Sequence, residues 1–197
     1  MEILAVTNRK LCQTDFIEQI GKLAESGVAG IILREKDLSE EAYEALAEDC
    51  LQKLRPSQVP LIINQRDRVA KRLSVPAVQL SFSDFLKKRD TLQGFQKVLV
   101  SIHSAEEAKE AETYGADGVI AGHIFATDCK KGVPPRGLTF LEEILETVRI
   151  PVYAIGGITS ETLPMLKHCP IQGVCVMSAS MRENFFWNTI DNQGSKD

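Results

Sequence analysis

The 197-residue chain is 44% hydrophobic and 25% charged with a net charge of −4, a balance that excludes disorder and gives no basic surface for nucleic acid. No composition shift, Pro/Ser-rich linker or charge block divides it, so residues 1–190 are expected to form one domain with a frayed polar tail over 191–197. The N-terminus lacks a basic n-region and no apolar run approaches a spanning length, which predicts a cytoplasmic protein without membrane contact.

In chain order, short aliphatic runs alternate with charged stretches of helical spacing. Strands are predicted over 3–6, 29–34, 60–64, 77–80, 98–102, 118–121, 152–155 and 172–177. Helices are predicted over 15–26, 39–54, 104–114, 139–148 and 160–167, with shorter pieces in 65–73 and 83–92; several open on Ser, Thr or Asp, whose side-chain oxygens cap exposed N–H groups. This alternation implies an α/β fold, a small (β/α)8 TIM barrel at the lower edge of the roughly 200 to 400 residue range. A doubly wound open sheet is the alternative, but no glycine-rich dinucleotide fingerprint follows the first strand. The five cysteines have neither ribbon nor redox spacing and read as reduced, mostly structural thiols.

In a barrel, ligand-binding groups come from the C-terminal ends of strands and the loops after them. Two such ends stand out. Gly156-Gly157 follows the seventh strand, where glycine permits close backbone approach to a ligand, and Thr159 or Ser160 can open the next helix. The eighth strand ends on Ser178, whose hydroxyl and neighbouring amides can donate to the same anion, so a phosphate cup is expected there. The alternative for each feature alone is a tight turn and a helix cap.

The loop after the sixth strand carries His123, Lys130 and Lys131 before a Pro-Pro-Arg-Gly turn at 134–137. An imidazole with an ordinary pKa near 6.5 can take and return a proton at neutral pH, which makes His123 the candidate catalytic residue beside the cup. Lys130 can neutralise a ligand's charge, while Lys131 reads as solvated; Cys129 ranks below both as a nucleophile.

These residues resemble a known superfamily over nearly the whole chain. Ile32-Leu33-Arg34-Glu35-Lys36-Asp37, Leu61-Ile62-Ile63-Asn64, Ala154-Ile155-Gly156-Gly157-Ile158-Thr159 and Val176-Met177-Ser178 resemble thiamine phosphate synthase. Gly122-His123-Ile124-Phe125, the Thr127 to Gly132 segment and Arg136-Gly137 resemble its TenI branch, the thiazole tautomerases. Synthases of this superfamily carry Pro where His123 stands and Asp where Gln65 follows Asn64, that Asp helping to hold magnesium pyrophosphate. They also carry Gln at the position of Ile32, while Asp84 matches their other acidic position.

The resemblance implies a thiazole tautomerase of thiamine biosynthesis, an isomerase that converts an exocyclic-alkene dihydrothiazole carboxylate phosphate to the aromatic thiazole. His123 is expected to transfer protons, with Gly156, Gly157 and Ser178 on the phosphate and Arg34 or Lys130 balancing the carboxylate. Lys36, Asn64 and Ser101 are the further substrate-binding candidates. His103 reads as a helix-entry residue before the Ser104 cap, and Asp84 as a helix N-terminal charge. No cofactor or metal is called for, and the expected partner is a small phosphorylated thiazole, with homo-oligomerisation left open. Two alternatives stand beside this reading: a magnesium-dependent thiamine phosphate synthase, and a non-catalytic regulatory protein that binds a phosphorylated ligand.

Overall fold

Eight parallel strands close into a barrel in the computed structural model, which describes residues 1–127 and 130–182. The expected tail over 191–197 and Cys129 lie outside the described residues. The strands are β1 (Glu2–Val6), β2 (Gly30–Leu33), β3 (Leu61–Asn64), β4 (Ala77–Ser81), β5 (Lys97–Ile102), β6 (Gly118–Gly122), β7 (Val152–Ile155) and β8 (Gly173–Val176). Each pairs with the next, and β8 returns to β1 with Leu4 opposite Cys175, so no edge is left. The helices are α1 (Phe16–Glu25), α2 (Glu40–Leu54), α3 (Asp67–Arg72), α4 (Phe82–Lys88), α5 (Ala105–Thr113) and α6 (Gly137–Thr147).

The strands read as continuous apolar runs because both of their faces are buried. Alternate residues separate two cores. Ile3, Ala5, Ile31, Leu33, Ile63 and Val100 face the helices, whereas Leu4, Ile32, Ile62, Leu99, Ile120 and Cys175 fill the barrel interior. At the N-terminal end the interior is sealed by Tyr153, whose hydroxyl donates to Glu2 Oε2 at 2.7 Å and receives Lys97 Nζ at 3.3 Å. Gln172 donates to the other Glu2 oxygen at 2.7 Å.

Helix starts follow from local chemistry. Asp15, Ser39, Ser81 and Ser104 each accept a backbone N–H of the first turn of α1, α2, α4 and α5. The buried face of α2 carries Tyr43, Ala47, Cys50 and Leu54, a spacing that keeps one stripe against the sheet. Helix α6 starts two residues before its expected beginning, because Arg136 N and Gly137 N donate to His123 O and Ile124 O, both at 3.0 Å, and fold the preceding loop back onto the end of β6.

The helix expected over 160–167 is corrected. Only a 3-10 turn, Leu163–Leu166, forms there. Pro164 has no N–H to give an i−4 carbonyl, and the Thr159 and Thr162 hydroxyls take up backbone N–H groups locally instead. No helix among the described residues is long and apolar enough to cross a membrane.

Candidate active site

The alternation that fills the barrel interior also selects what reaches its mouth. Two residues beyond Ile32 stands Arg34, and two further Lys36; beyond Ile62 stands Asn64, beyond Ala77 Gln79 and Ser81, beyond Leu99 Ser101. All six line one cavity of about 770 Å³ at the C-terminal end of the barrel. The same cavity is lined by His123, Lys130, Gly156, Gly157 and Ser178, so the structure brings together every candidate site residue of the sequence reading.

Between the two cations that follow β2, Glu35 turns the other way. It is 2% exposed and accepts from Thr7 Oγ1 at 2.7 Å, Arg9 N at 3.0 Å and Arg9 Nη1 at 3.3 Å. Thr7 Oγ1 in turn accepts Arg34 N at 2.9 Å. This network fixes the strand end and aims Arg34 and Lys36 at the cavity. Burial, then the repulsion of Arg34, lowers the Lys36 pKa, with Asp84 opposing.

Asn64, Gln79 and Ser101 form a directed relay. Asn64 Nδ2 donates to Gln79 Oε1, and Gln79 Nε2 donates to Leu80 O and to Ser101 Oγ, both at 2.8 Å. The carbonyl of Leu80 can only accept, which fixes the orientation of the Gln79 amide and hence that of Asn64. Asn64 N is also held by the Tyr43 hydroxyl at 3.2 Å, and that hydroxyl donates to Leu33 O at 2.5 Å, so α2 ties the ends of β2 and β3 together. Gln79 was missed by the sequence reading. Its signal was a lone polar residue at an even step from Ala77 in an apolar strand.

His123 is 4% exposed and lines the cavity wall. Its Nε2 meets Val133 O at 3.3 Å, so Nε2 carries the proton, while Nδ1 is buried without a hydrogen-bond partner. The ring therefore ties the loop that carries Lys130 to the end of β6. His103 enters α5 as expected, its N donating to Glu107 Oε2 at 2.7 Å, but it also lines the cavity rim. Burial, then the nearby Lys130, pushes its imidazole below the ordinary value against the pull of Glu107.

The expectation for Gly156 and Gly157 changes in kind. A Cβ on Gly156 would fall 2.3 Å from His123 Cβ, and one on Gly157 would fall 2.3 Å from Ala126 O. Their positive φ values of 100° and 65° add the same restriction. The close approach these glycines allow is to the protein's own loop. With only a 3-10 turn after β7, no α-helix dipole points at the cavity from that segment.

The family described as thiamine monophosphate synthase matches residues 3–180. The chain belongs to the thiamine monophosphate synthase family. It is 36% identical to the thiamine-phosphate synthase of Syntrophomonas wolfei over 180 residues, 89% of this chain and 86% of that protein. It is 31% identical to the thiamine-phosphate synthase of Fusobacterium nucleatum over 194 residues, 97% and 94% of the two chains. The solved thiamine phosphate pyrophosphorylase of Pyrococcus furiosus superposes with a TM-score of 0.80 at 27% identity, covering 93% of this chain and 89% of that one.

These similarities overturn the expectation of a thiazole tautomerase. The thiamine monophosphate synthase family is enzymatic, and the near full-length relatives are named for the synthase, a transferase, and not for an isomerase. The His-containing loop is one segment, whereas the similarity to synthases spans the barrel.

The family implies magnesium, so the donor set decides whether this chain suits it. Among the described residues that line the cavity none is Asp or Glu, and Gln65 is neutral. The Asp84 carboxylate accepts the Ser81 hydroxyl at 2.8 Å, and no group of three His, Cys, Asp or Glu among the described residues could hold a metal ion. Magnesium is a hard cation that takes carboxylate, water and phosphate oxygens. The protein's share of such a shell does not fit.

Proposed function

We propose that this chain is a thiamine phosphate synthase, joining a thiazole phosphate to a pyrimidine methyl diphosphate. The lone pair of the thiazole ring nitrogen forms the new C–N bond at the pyrimidine methylene carbon. The C–O bond to diphosphate breaks, and its electron pair leaves on the diphosphate oxygen. The step needs no proton transfer, so His123 contributes through position, holding Val133 and the lysine-bearing loop at the mouth.

The observation that carries this reading is a cavity walled by Arg34, Lys36 and Lys130 with no Asp or Glu among its described lining residues. Its volume of about 770 Å³ lies within the ~300–1,000 Å³ of small-molecule sites and suits two small ligands. Arg34 and Lys36 stabilise the charge that develops on the departing diphosphate, where preorganised cations act most strongly. The Asn64–Gln79–Ser101 relay reads the polar edge of the pyrimidine. Gly156, Gly157 and Ser178 border the seat of the thiazole's phosphate.

The test incubates purified protein with both substrates, with Mg²⁺ in one arm and a chelator in the other, and follows thiamine phosphate by conversion to fluorescent thiochrome. Product in either arm supports the assignment. Saturable ligand binding with no product in both arms would replace it with a binding protein.

A further inference from the structure

Among the described residues, the acidic side chains near the cavity each have an internal partner. Glu35 faces Thr7 and Arg9, and Asp84 takes the hydroxyl of Ser81. Behind Gln65, the half-buried Lys88 ammonium lies 2.5 Å from Asp67 Oδ1 and donates to Gln65 O at 3.3 Å. The end of β3 is thus backed by a closed ion pair, and the Asp67 carboxylate is taken up by Lys88. Among the described residues a divalent ion would meet the cations Arg34 and Lys36, with Asp84, held to the rim residue Ser81, as the single carboxylate near them.

The opposite charge is abundant. Arg34, Lys36, Lys130, Lys131 and Arg182 all line the cavity of a protein whose net charge is −4. Cations concentrated in a low-dielectric concavity attract a multiply charged anion strongly. Arginine forks two phosphate oxygens at once, and lysine supplies a compact point charge. The lowered Lys36 pKa has the same cause, since burial and the neighbouring Arg34 penalise its charge until an anion arrives.

We propose that this chain takes diphosphate as a bare anion, with Arg34, Lys36 and the loop lysines matching its charge in place of a divalent cation. For the diphosphate ester the inference rests on the synthase reading above; for free inorganic pyrophosphate it does not. Gln65 is the deciding position, because a carboxylate there would add an acidic ligand to a lining that has none among its described residues.

Calorimetric titration of the full chain with inorganic pyrophosphate, in chelator and in Mg²⁺, tests it. Binding is expected in chelator and is expected to weaken or stay level in Mg²⁺, which competes in solution for the same oxygens. Arg34→Ala and Lys36→Ala should each weaken binding by about tenfold or more, with thermal melts unchanged. Gln65→Asp should reverse the sign, so that Mg²⁺ tightens binding. Absence of binding in chelator, or tightening by Mg²⁺ in the wild type, would overturn the proposal, and a Gln65→Asp variant indifferent to Mg²⁺ would overturn the role of that position. Metal-independent pyrophosphate binding without condensation would remove the synthase reading alone, and condensation with Mg²⁺-tightened binding would remove only this inference.

Discussion

Gln79 donates to Ser101 Oγ at 2.8 Å across the β4–β5 pair, and its carbonyl receives the Asn64 amide from β3. Three strands are thereby joined at the rim by one side chain. Replacing Gln79 with Leu keeps the volume roughly constant but leaves Asn64 Nδ2 and Leu80 O without these partners. Weakening of the pyrimidine substrate by about tenfold is expected, read as a rise in KM that exceeds any fall in kcat. An unchanged KM would exclude Gln79 from orienting the ligand.

Gly157→Ala should disturb the loop after β6 more than the barrel. The added methyl falls on Ala126 O, and the φ of 65° is itself unfavourable for alanine. A loss of about 1–3 kcal/mol in urea unfolding is expected, with faster proteolysis near Lys130. Full stability together with unchanged proteolysis would contradict the contact.

Tyr43→Phe removes a hydroxyl that serves Leu33 O and Asn64 N in a fully buried setting. Leaving those groups unpaired should cost about 1–3 kcal/mol, measurable by chemical denaturation. Because Asn64 is one of the two, hydrogen exchange should quicken at the end of β3 before it does elsewhere.

Acid stability depends on the floor of the barrel. Burial raises the Glu2 pKa, but hydrogen bonds from Tyr153 and Gln172, with Lys97 and the amino terminus, pull it below the ordinary value overall. A carboxylate with a depressed folded pKa stabilises the protein above its unfolded value, near 4.3, and that contribution is lost as pH falls through the folded value. Arg9, then Lys10, likewise hold Asp37 low. Glu2→Gln should therefore flatten the fall in melting temperature below about pH 4.5 without abolishing it. A wild-type slope in the variant would exclude Glu2.

The strands were legible because parallel strands buried on both faces leave near-continuous aliphatic runs, and Val152–Ile155 was placed to the residue. The segment 160–167 misled because its apolar spacing is helical while Pro164 denies it the bond a helix needs. The rim residues Arg34, Asn64 and Ser101 could be found from strand ends alone. Gln79 could not, since its meaning depends on which face of β4 points inward. Gly156 and Gly157 were expected to admit a ligand to the backbone, whereas the groups packed against them are His123 and Ala126, which no local sequence pattern indicates. On function, one histidine-bearing loop outweighed the rest of the chain in the sequence reading. His123 instead keeps Nε2 on Val133 O and Nδ1 sealed, and the whole-length relatives are synthases.

The Tyr153–Glu2–Lys97 plug and the apolar layer above it close the N-terminal end of the barrel, so the cavity opens at the C-terminal end. On the synthase reading proposed above, two reactants and two products share that opening. Under that reading, a ligand seated against the apolar layer would lie beneath one held by Arg34 and Lys36 at the rim, and ordered binding is the expected outcome of product-inhibition kinetics.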